Sequence, residues 1–461
     1  MNKYLFLLFA FISFETYGQY CNCEQEFLYI KGFIEKNYAG FKDKQEQMTD
    51  KGYSQIVKKF QNLSKSTTAK ENCLLIIAQY LDSFKDQHIQ ISPRFDATKN
   101  DTGYINQRTL IPLSEKKLAA LSKSKGKEGI YQFRHDSSYK IAVFKDRSAL
   151  HDYIGVVVDS KLPTWKRGHL KFEAKQINDS VFKGVLYMRN HMPKIEYFDF
   201  GKDRIAGDWQ REGTAFKKIS YNYIPVSGQK LSDKTLYLKI SSFSGSNAKN
   251  IDSLFKAHAA TLSSTPNLII DLRDNGGGSD FSFTPILPYI YTHPVKGIGV
   301  DVLATESNIT GWKKVLENKD LPEQNRAAIS NMIAEMELNK GKLVNIASDY
   351  VDSSYQPLPN PKKVLILINR GCASTTEQFL LYARQSSKVI LAGEPTQGVL
   401  DYSNMRDAPF SCMSYVLRYA TTRSRRLDVG EGIDNIGIKP QIKLERNGDW
   451  IKQARKIIEA Q

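Results

Sequence analysis

Residues 362–404 read KKVLILINRGCASTTEQFLLYARQSSKVILAGEPTQGVLDYSN, and the fold turns on how this stretch is parsed. Its continuous apolar run, Val364 to Ile368, predicts a strand buried on both faces. The run breaks at Asn369-Arg370-Gly371. From about Thr375 to Ser386 the spacing predicts a helix, and Val389 to Ala392 predicts a second strand ending in Gly393-Glu394-Pro395. Strand, tight turn, helix and strand form the unit from which parallel sheets are built. Ser374 stands where the turn meets the helix N-terminus, and there backbone N–H groups and the helix dipole favour developing negative charge. It is the candidate nucleophile. Ser and Thr are also common N-caps, so Ser-Thr-Thr-Glu after a strand does not by itself separate a nucleophile from a cap.

A second stretch bears on that choice. Asn267 to Gly278, NLIIDLRDNGGG, predicts a buried strand that ends in three consecutive glycines. Such a run is entropically costly and marks a place where backbone approaches something closely. The pieces D-L-R-x-N-G-G-G (from Asp271), G-x-A-S-x-x-E (Gly371 to Glu377) and G-I-K-P (Gly437 to Pro440) occur in that order. Together they resemble the C-terminal processing (tail-specific) serine peptidase family and its tricorn-core relatives. The resemblance covers roughly residues 232–445, with a weaker echo near residues 24–92.

That resemblance implies an α/β peptidase core of parallel or mixed sheet with flanking helices, and a peptide or protein substrate. Processing peptidases of this kind activate the serine with a lysine in a T-x-G-K stretch. Here the stretch is Thr396-Gln397-Gly398-Val399, and a valine takes no proton, so a Ser-Lys dyad at this position is excluded. The tricorn-like branch uses a histidine and a late carboxylate instead. His88, just past an N-terminal helix, matches the histidine; a helix C-cap or surface residue is its plainer reading. The carboxylate is expected from Asp434, three residues before Gly437, or from Glu431, although both can be ordinary turn residues. In the expected chemistry Ser374 attacks a peptide carbonyl, His88 takes and returns the proton, and the carboxylate holds the imidazole tautomer. Backbone N–H groups of Gly276, Gly277 and Thr375 are the candidates to hold the oxyanion. Glu377 is expected to cap the helix or pair with a base. No metal and no cofactor are expected, since no cysteine pair has zinc spacing with a histidine partner.

Outward from this core the chain divides. Met1-Asn2-Lys3, the apolar run Tyr4 to Phe14 and a polar switch before Gly18 read as a signal peptide over residues 1–18. The run is too short to span a bilayer, and no later stretch is long enough. Export to a bacterial periplasm or beyond follows. Residues 19–103 are expected to be helical, from the spacing of Phe27, Ile30, Ile34 and Tyr38 and the apolar stripe Asn72 to Phe84. Residues 104–230 alternate apolar and polar positions between turn residues, which predicts an inserted all-β module of barrel type, where the family resemblance implies a PDZ domain whose glycine-rich carboxylate-binding loop is not found. The core is expected over residues 231–447, with a helical insertion at 305–345, and a C-terminal helix over 448–461. Five cysteines leave at least one unpaired, and Cys372–Cys412 and Cys73 with Cys21 or Cys23 are the expected bridges. The net charge of +16 is spread along the chain with no nucleic-acid module, so it reads as general solvation. Two other functions stay open: a catalytically inactive peptidase fold that binds peptides, suggested by Val399, and a binding protein in which the β module does the work.

Overall fold

In the computed structural model the described residues are 22–460, apart from 68, 95–104, 107, 136–137, 147, 180, 202, 206–207, 215–223, 320, 322 and 446. The expected signal peptide and Cys21 lie outside them. At the centre is a six-stranded sheet in the order Val226–Ser232, Thr235–Ile240, Asn267–Asp271, Lys363–Ile368, Val389–Gly393, Ile442–Lys443. The first pair is antiparallel and every later pair is parallel, with Ile269 opposite Leu365 and Leu365 opposite Ile390. Continuous apolar runs belong in such strands because both faces are covered. Leu365, Ile366, Leu367 and Ile368 are all fully buried. One face packs on Phe255, Phe283 and Phe379, the other on Trp450, Ala454 and Ile458 of the C-terminal helix Trp450–Ala460. Each fully buried Leu or Ile contributes about 1.5–3 kcal/mol, so these strands form the rigid base of the fold.

Four helices, Cys23–Asn37, Phe41–Met48, Asp50–Lys65 and Lys70–Asp82, make the N-terminal region. Their buried stripe, including Phe27, Ile30, Ile34 and Leu74 to Ile77, shares one core with the strand Tyr415–Ser424 and with the β-rich segment. The last helix runs through a short turn into the strand Gln90–Pro93, which pairs antiparallel with Tyr415–Ser424. This pairing carries His88 from the N-terminal helices onto the C-terminal half of the chain.

The β-rich segment is an eight-stranded sheet of sequential antiparallel strands from Gly129–Phe133 to Pro193–Asp199, continued by Trp209–Arg211 and Arg204–Ile205. An isolated bridge between Phe200 and Ile205 joins its two ends, so the sheet curls on itself. Aromatic side chains fill the inside: Tyr131, Tyr139, Trp165, Phe172, Phe182, Phe198 and Trp209 are all buried. The helices Glu306–Leu316 and Glu323–Leu338 make the insertion ahead of the nucleophile unit, packed through Ile309, Trp312 and Met336.

Two expectations about the cysteines part ways. Cys23 and Cys73 form a disulfide, tying the first helix to the fourth. Cys372 and Cys412 are not bridged to each other: Cys372 is free and buried, its Sγ 3.0 Å from the Leu272 carbonyl, whereas Cys412 is disulfide-bonded elsewhere. Cys372 packs in the core against the central sheet, whereas Cys412 packs against the core of the N-terminal helices. The strand Tyr415–Ser424 is preceded by a turn over residues 410–414, in which the N–H groups of Ser411, Cys412 and Met413 donate to the buried carboxylate of Glu26.

Candidate active site

The strand Lys363–Ile368 delivers the chain to a turn at Asn369–Ala373, and the helix Thr375–Ala383 starts beyond it. Ser374 sits between them with φ 56° and ψ −123°. A non-glycine residue in this region costs on the order of 1–3 kcal/mol, and surrounding contacts must hold it there. Here they are explicit: the Ser374 N–H donates to the Val399 carbonyl at 3.1 Å and to Glu377 Oε2 at 3.1 Å. The strained turn lifts the hydroxyl out of the sheet, and Ser374 and Glu377 form a capping box at the helix N-terminus.

His88 meets that hydroxyl. Its Nε2 is 3.3 Å from Ser374 Oγ, and its Nδ1 is 2.5 Å from the main-chain carbonyl of Tyr402. A carbonyl only accepts, so Nδ1 carries the proton and the Nε2 lone pair faces the serine, the tautomer that a general base requires. The His88 N–H is fixed by Asp86 Oδ1 at 2.8 Å, and Asp86 Oδ2 accepts from buried Tyr38 at 2.6 Å. A histidine that reads as a helix cap is therefore brought, across 286 residues of sequence, to the nucleophile turn.

The late carboxylates are placed differently from expectation. Among the described residues no carboxylate hydrogen-bonds the imidazole. Asp434 Oδ1 accepts from the N–H groups of Leu400 and Asp401 at 3.0 and 2.9 Å, and its Oδ2 lies 3.9 Å from Lys44 Nζ. It thus grips the chain segment that carries the Tyr402 carbonyl and touches His88 only through that backbone. Burial, and then the nearby Asp86 and Asp401 carboxylates, push the Asp434 carboxyl up to about 7. Glu431 is exposed and stands apart from Ser374, lining a separate cavity with Lys296 and Arg426. Its place beside a turn glycine puts it on the outside of the loop, and it is not at the site.

The glycine run lies against the nucleophile turn. Gly277 has φ +99°, and a Cβ there would stand 2.7 Å from the Ala373 carbonyl and 2.9 Å from Thr375 N. Only glycine permits that approach. Of the three expected oxyanion donors, Gly277 drops out, because its N–H is committed to Asn275 Oδ1 at 3.1 Å. The N–H groups of Gly276 and Thr375 have no protein acceptor among the described residues, and Gly276 lines the cleft beside Ser374.

One polar hub was missed by reading the sequence, and a second does more than expected. Asn275, fully buried, accepts on Oδ1 from Phe243 N, Gly277 N and Thr376 Oγ1, and donates from Nδ2 to the Ile240 carbonyl. An asparagine immediately before three glycines was the available signal. Glu377, also fully buried, does more than cap its helix. Oε2 accepts from Ser374 N and Val399 N, and Oε1 accepts from Gly398 N at 2.7 Å and Thr396 Oγ1 at 2.5 Å. It ties the Thr396–Val399 turn to the nucleophile. Val399 is buried at the position where the family resemblance places lysine, and among the described residues no lysine is hydrogen-bonded to Ser374.

A cleft passes through this site. On one side a cavity of about 370 Å³ is walled by Gln87 to Ser92 and by Lys194 to Tyr197 of the β-rich segment; on the other a cavity of about 710 Å³ opens. Both include His88 and Ser374. Among the described residues no group of histidine, cysteine and acidic side chains could hold a metal, and no helix is long and apolar enough to cross a membrane.

Residues 234–444 match the model of peptidase family S41. Among solved structures, mature CPAF complexed with lactacystin is similar at 12% identity, covering 95% of this chain and 97% of that one with a TM-score of 0.51. A putative peptidase from Parabacteroides merdae (15% identity, 95% of each chain, TM-score 0.44) and the photosystem II D1 C-terminal processing protease (13% identity, 95% and 97%, TM-score 0.40) are more distant in shape. No curated protein matches the chain. The expected α/β peptidase fold is the one observed. Residues 234–444, which carry Ser374, are thus similar to peptidase family S41, and the chain shares its fold with mature CPAF.

Proposed function

We propose that this chain is an exported endopeptidase that hydrolyses peptide bonds through an acyl-enzyme on Ser374, with His88 as its base, in the manner of the branch that lacks the catalytic lysine. The observation that carries this reading is the His88 imidazole, 3.3 Å from Ser374 Oγ through Nε2 and locked in its tautomer by the Tyr402 carbonyl. An extended peptide enters the cleft with its carbonyl carbon over Ser374. As Oγ attacks, its proton passes to Nε2, and the oxyanion that forms is held by the N–H groups of Gly276 and Thr375. The imidazolium then returns the proton to the leaving amine. Water repeats the sequence to release the acid. Asp434 is a positioning residue that holds the 400–402 backbone.

Export is supported by the N-terminal pattern of residues 1–18 and by the Cys23–Cys73 disulfide, a bond that persists in oxidising compartments. Val399 motivates the second reading, a peptidase fold that binds peptides without cutting them. Labelling with a fluorophosphonate serine-hydrolase probe separates the two. Probe incorporation into the wild-type protein, lost in both Ser374→Ala and His88→Ala, is the expected result. A folded wild-type protein that does not label favours the inactive reading, and labelling that survives Ser374→Ala rules out the assigned nucleophile.

A further inference from the structure

The larger cavity holds one carboxylate that has no task in the mechanism above. Asp280, two residues beyond the glycine run, lines it together with Ser374, Thr375, Phe281 and Tyr350. Among the described residues no lysine, arginine or histidine pairs with Asp280, and the Thr375 side chain lies close to it. Asp280 is an exposed residue on the cavity wall, where its carboxylate can meet a ligand. Phe281 and Tyr350 are 61% and 51% exposed, large for aromatic rings, and both border this cavity. A carboxylate beside open aromatic faces suits an organic cation: the oxygens pair with the charge and the rings take its alkyl stem or guanidinium plane.

Two other charged side chains line the cavity. His88 faces the serine, and Arg406 lies 4.1 Å from the centroid of the Trp312 ring and donates to the Met405 carbonyl. The net charge of +16 repels cations only at long range, where salt screens it beyond about 8 Å; at contact the local carboxylate decides. We propose that Asp280 is a specificity-determining residue that selects a lysine or arginine side chain of the substrate, close to the bond that is cut. This rests on the reading of the Ser374 cleft as the peptide site.

The test reads binding, so it does not need catalysis. Fluorescent peptides identical except for one position, carrying lysine or its neutral near-isostere norleucine, are titrated onto the Ser374→Ala protein by anisotropy, with that position walked along the peptide. At one register lysine should bind about ten-fold tighter than norleucine, the scale of one charge-assisted contact. In Asp280→Asn the difference should fall below about two-fold through weaker lysine binding alone. Asp280→Glu should preserve the preference. Equal binding at every register overturns the assignment, as does a lysine preference that persists in Asp280→Asn. An equal loss for both peptides in Asp280→Asn also overturns it, since that marks a structural role. Failure of the wild-type protein to label with fluorophosphonate would instead count against the catalytic reading, and leaves this binding comparison standing.

Discussion

Replacing Glu377 with glutamine removes no volume and one charge, yet it breaks the tie between the nucleophile turn and the Thr396–Val399 turn. Four donors converge on the carboxylate, from Ser374 N, Val399 N, Gly398 N and Thr396 Oγ1. An amide offers one oxygen to the pair it faces and an NH₂ group to the other pair. The less costly orientation turns the NH₂ toward Gly398 and Thr396, because the Thr396 hydroxyl, already accepting from Ile438 N at 2.7 Å, can rotate to accept. Gly398 N–H is then left facing a donor. A lost charge-assisted bond of about 1.5–3 kcal/mol plus an unsatisfied buried N–H of about 1–3 kcal/mol sets the gross cost. Relief of the desolvated charge offsets part of it, so Glu377→Gln should destabilise by about 2–4 kcal/mol and Glu377→Ala by more, since all four donors lose their acceptor. Urea unfolding followed by tryptophan fluorescence measures this. Because Val399 O accepts from Ser374 N, loosening the turn also relaxes the strained serine, and the rate of fluorophosphonate labelling should fall under conditions where the variant remains folded. A glutamine variant as stable and as reactive as the wild type would refute the assignment of Glu377 as the tie between the two turns.

Asp434→Asn should leave labelling within about ten-fold of wild type, because the asparagine oxygen still accepts from Leu400 and Asp401 and Asp434 makes no hydrogen bond to the His88 imidazole. The same variant should flatten the pH dependence of stability. A carboxyl raised to about 7 in the folded protein binds its proton more tightly there than in the unfolded chain, so the wild type loses stability as pH rises from about 4 to about 7; unfolding midpoints across that range check it. Gly277→Ala should cost at least ~2 kcal/mol and suppress labelling, since the backbone is left-handed and the new methyl meets Ala373 and Thr375; thermal unfolding and probe kinetics together measure this. Removing the Cys23–Cys73 bridge by double serine substitution frees a loop with a sequence separation of 50 residues and should cost about 4 kcal/mol in the chain-entropy account, read as a lower unfolding midpoint under oxidising conditions.

Much of this molecule is legible in its sequence wherever the physics is local. Val364 to Ile368 and Asn267 to Asp271 announce buried strands because their apolar runs have no polar face, and they pair in parallel register as such runs require. The turn at Ser374 and the glycines at 276–278 are legible for the same reason: strain and close approach limit which residues fit. Those two stretches determined the peptidase core and its nucleophile candidate before any distance was known. What the tertiary structure alone decided is which groups converge. The Nδ1 partner of His88 is a backbone carbonyl at Tyr402, and every residue carries such a carbonyl, so no side-chain pattern can reveal it. Asp434 reaches the site only through backbone N–H groups, Gly277 N–H is taken by a side chain two residues away, and Cys372 turns inward where a bridge was expected. Hydrogen-bond partners at long sequence separation depend on positions in space, and the strand pairing of Gln90–Pro93 with Tyr415–Ser424 is what brings the base to the serine.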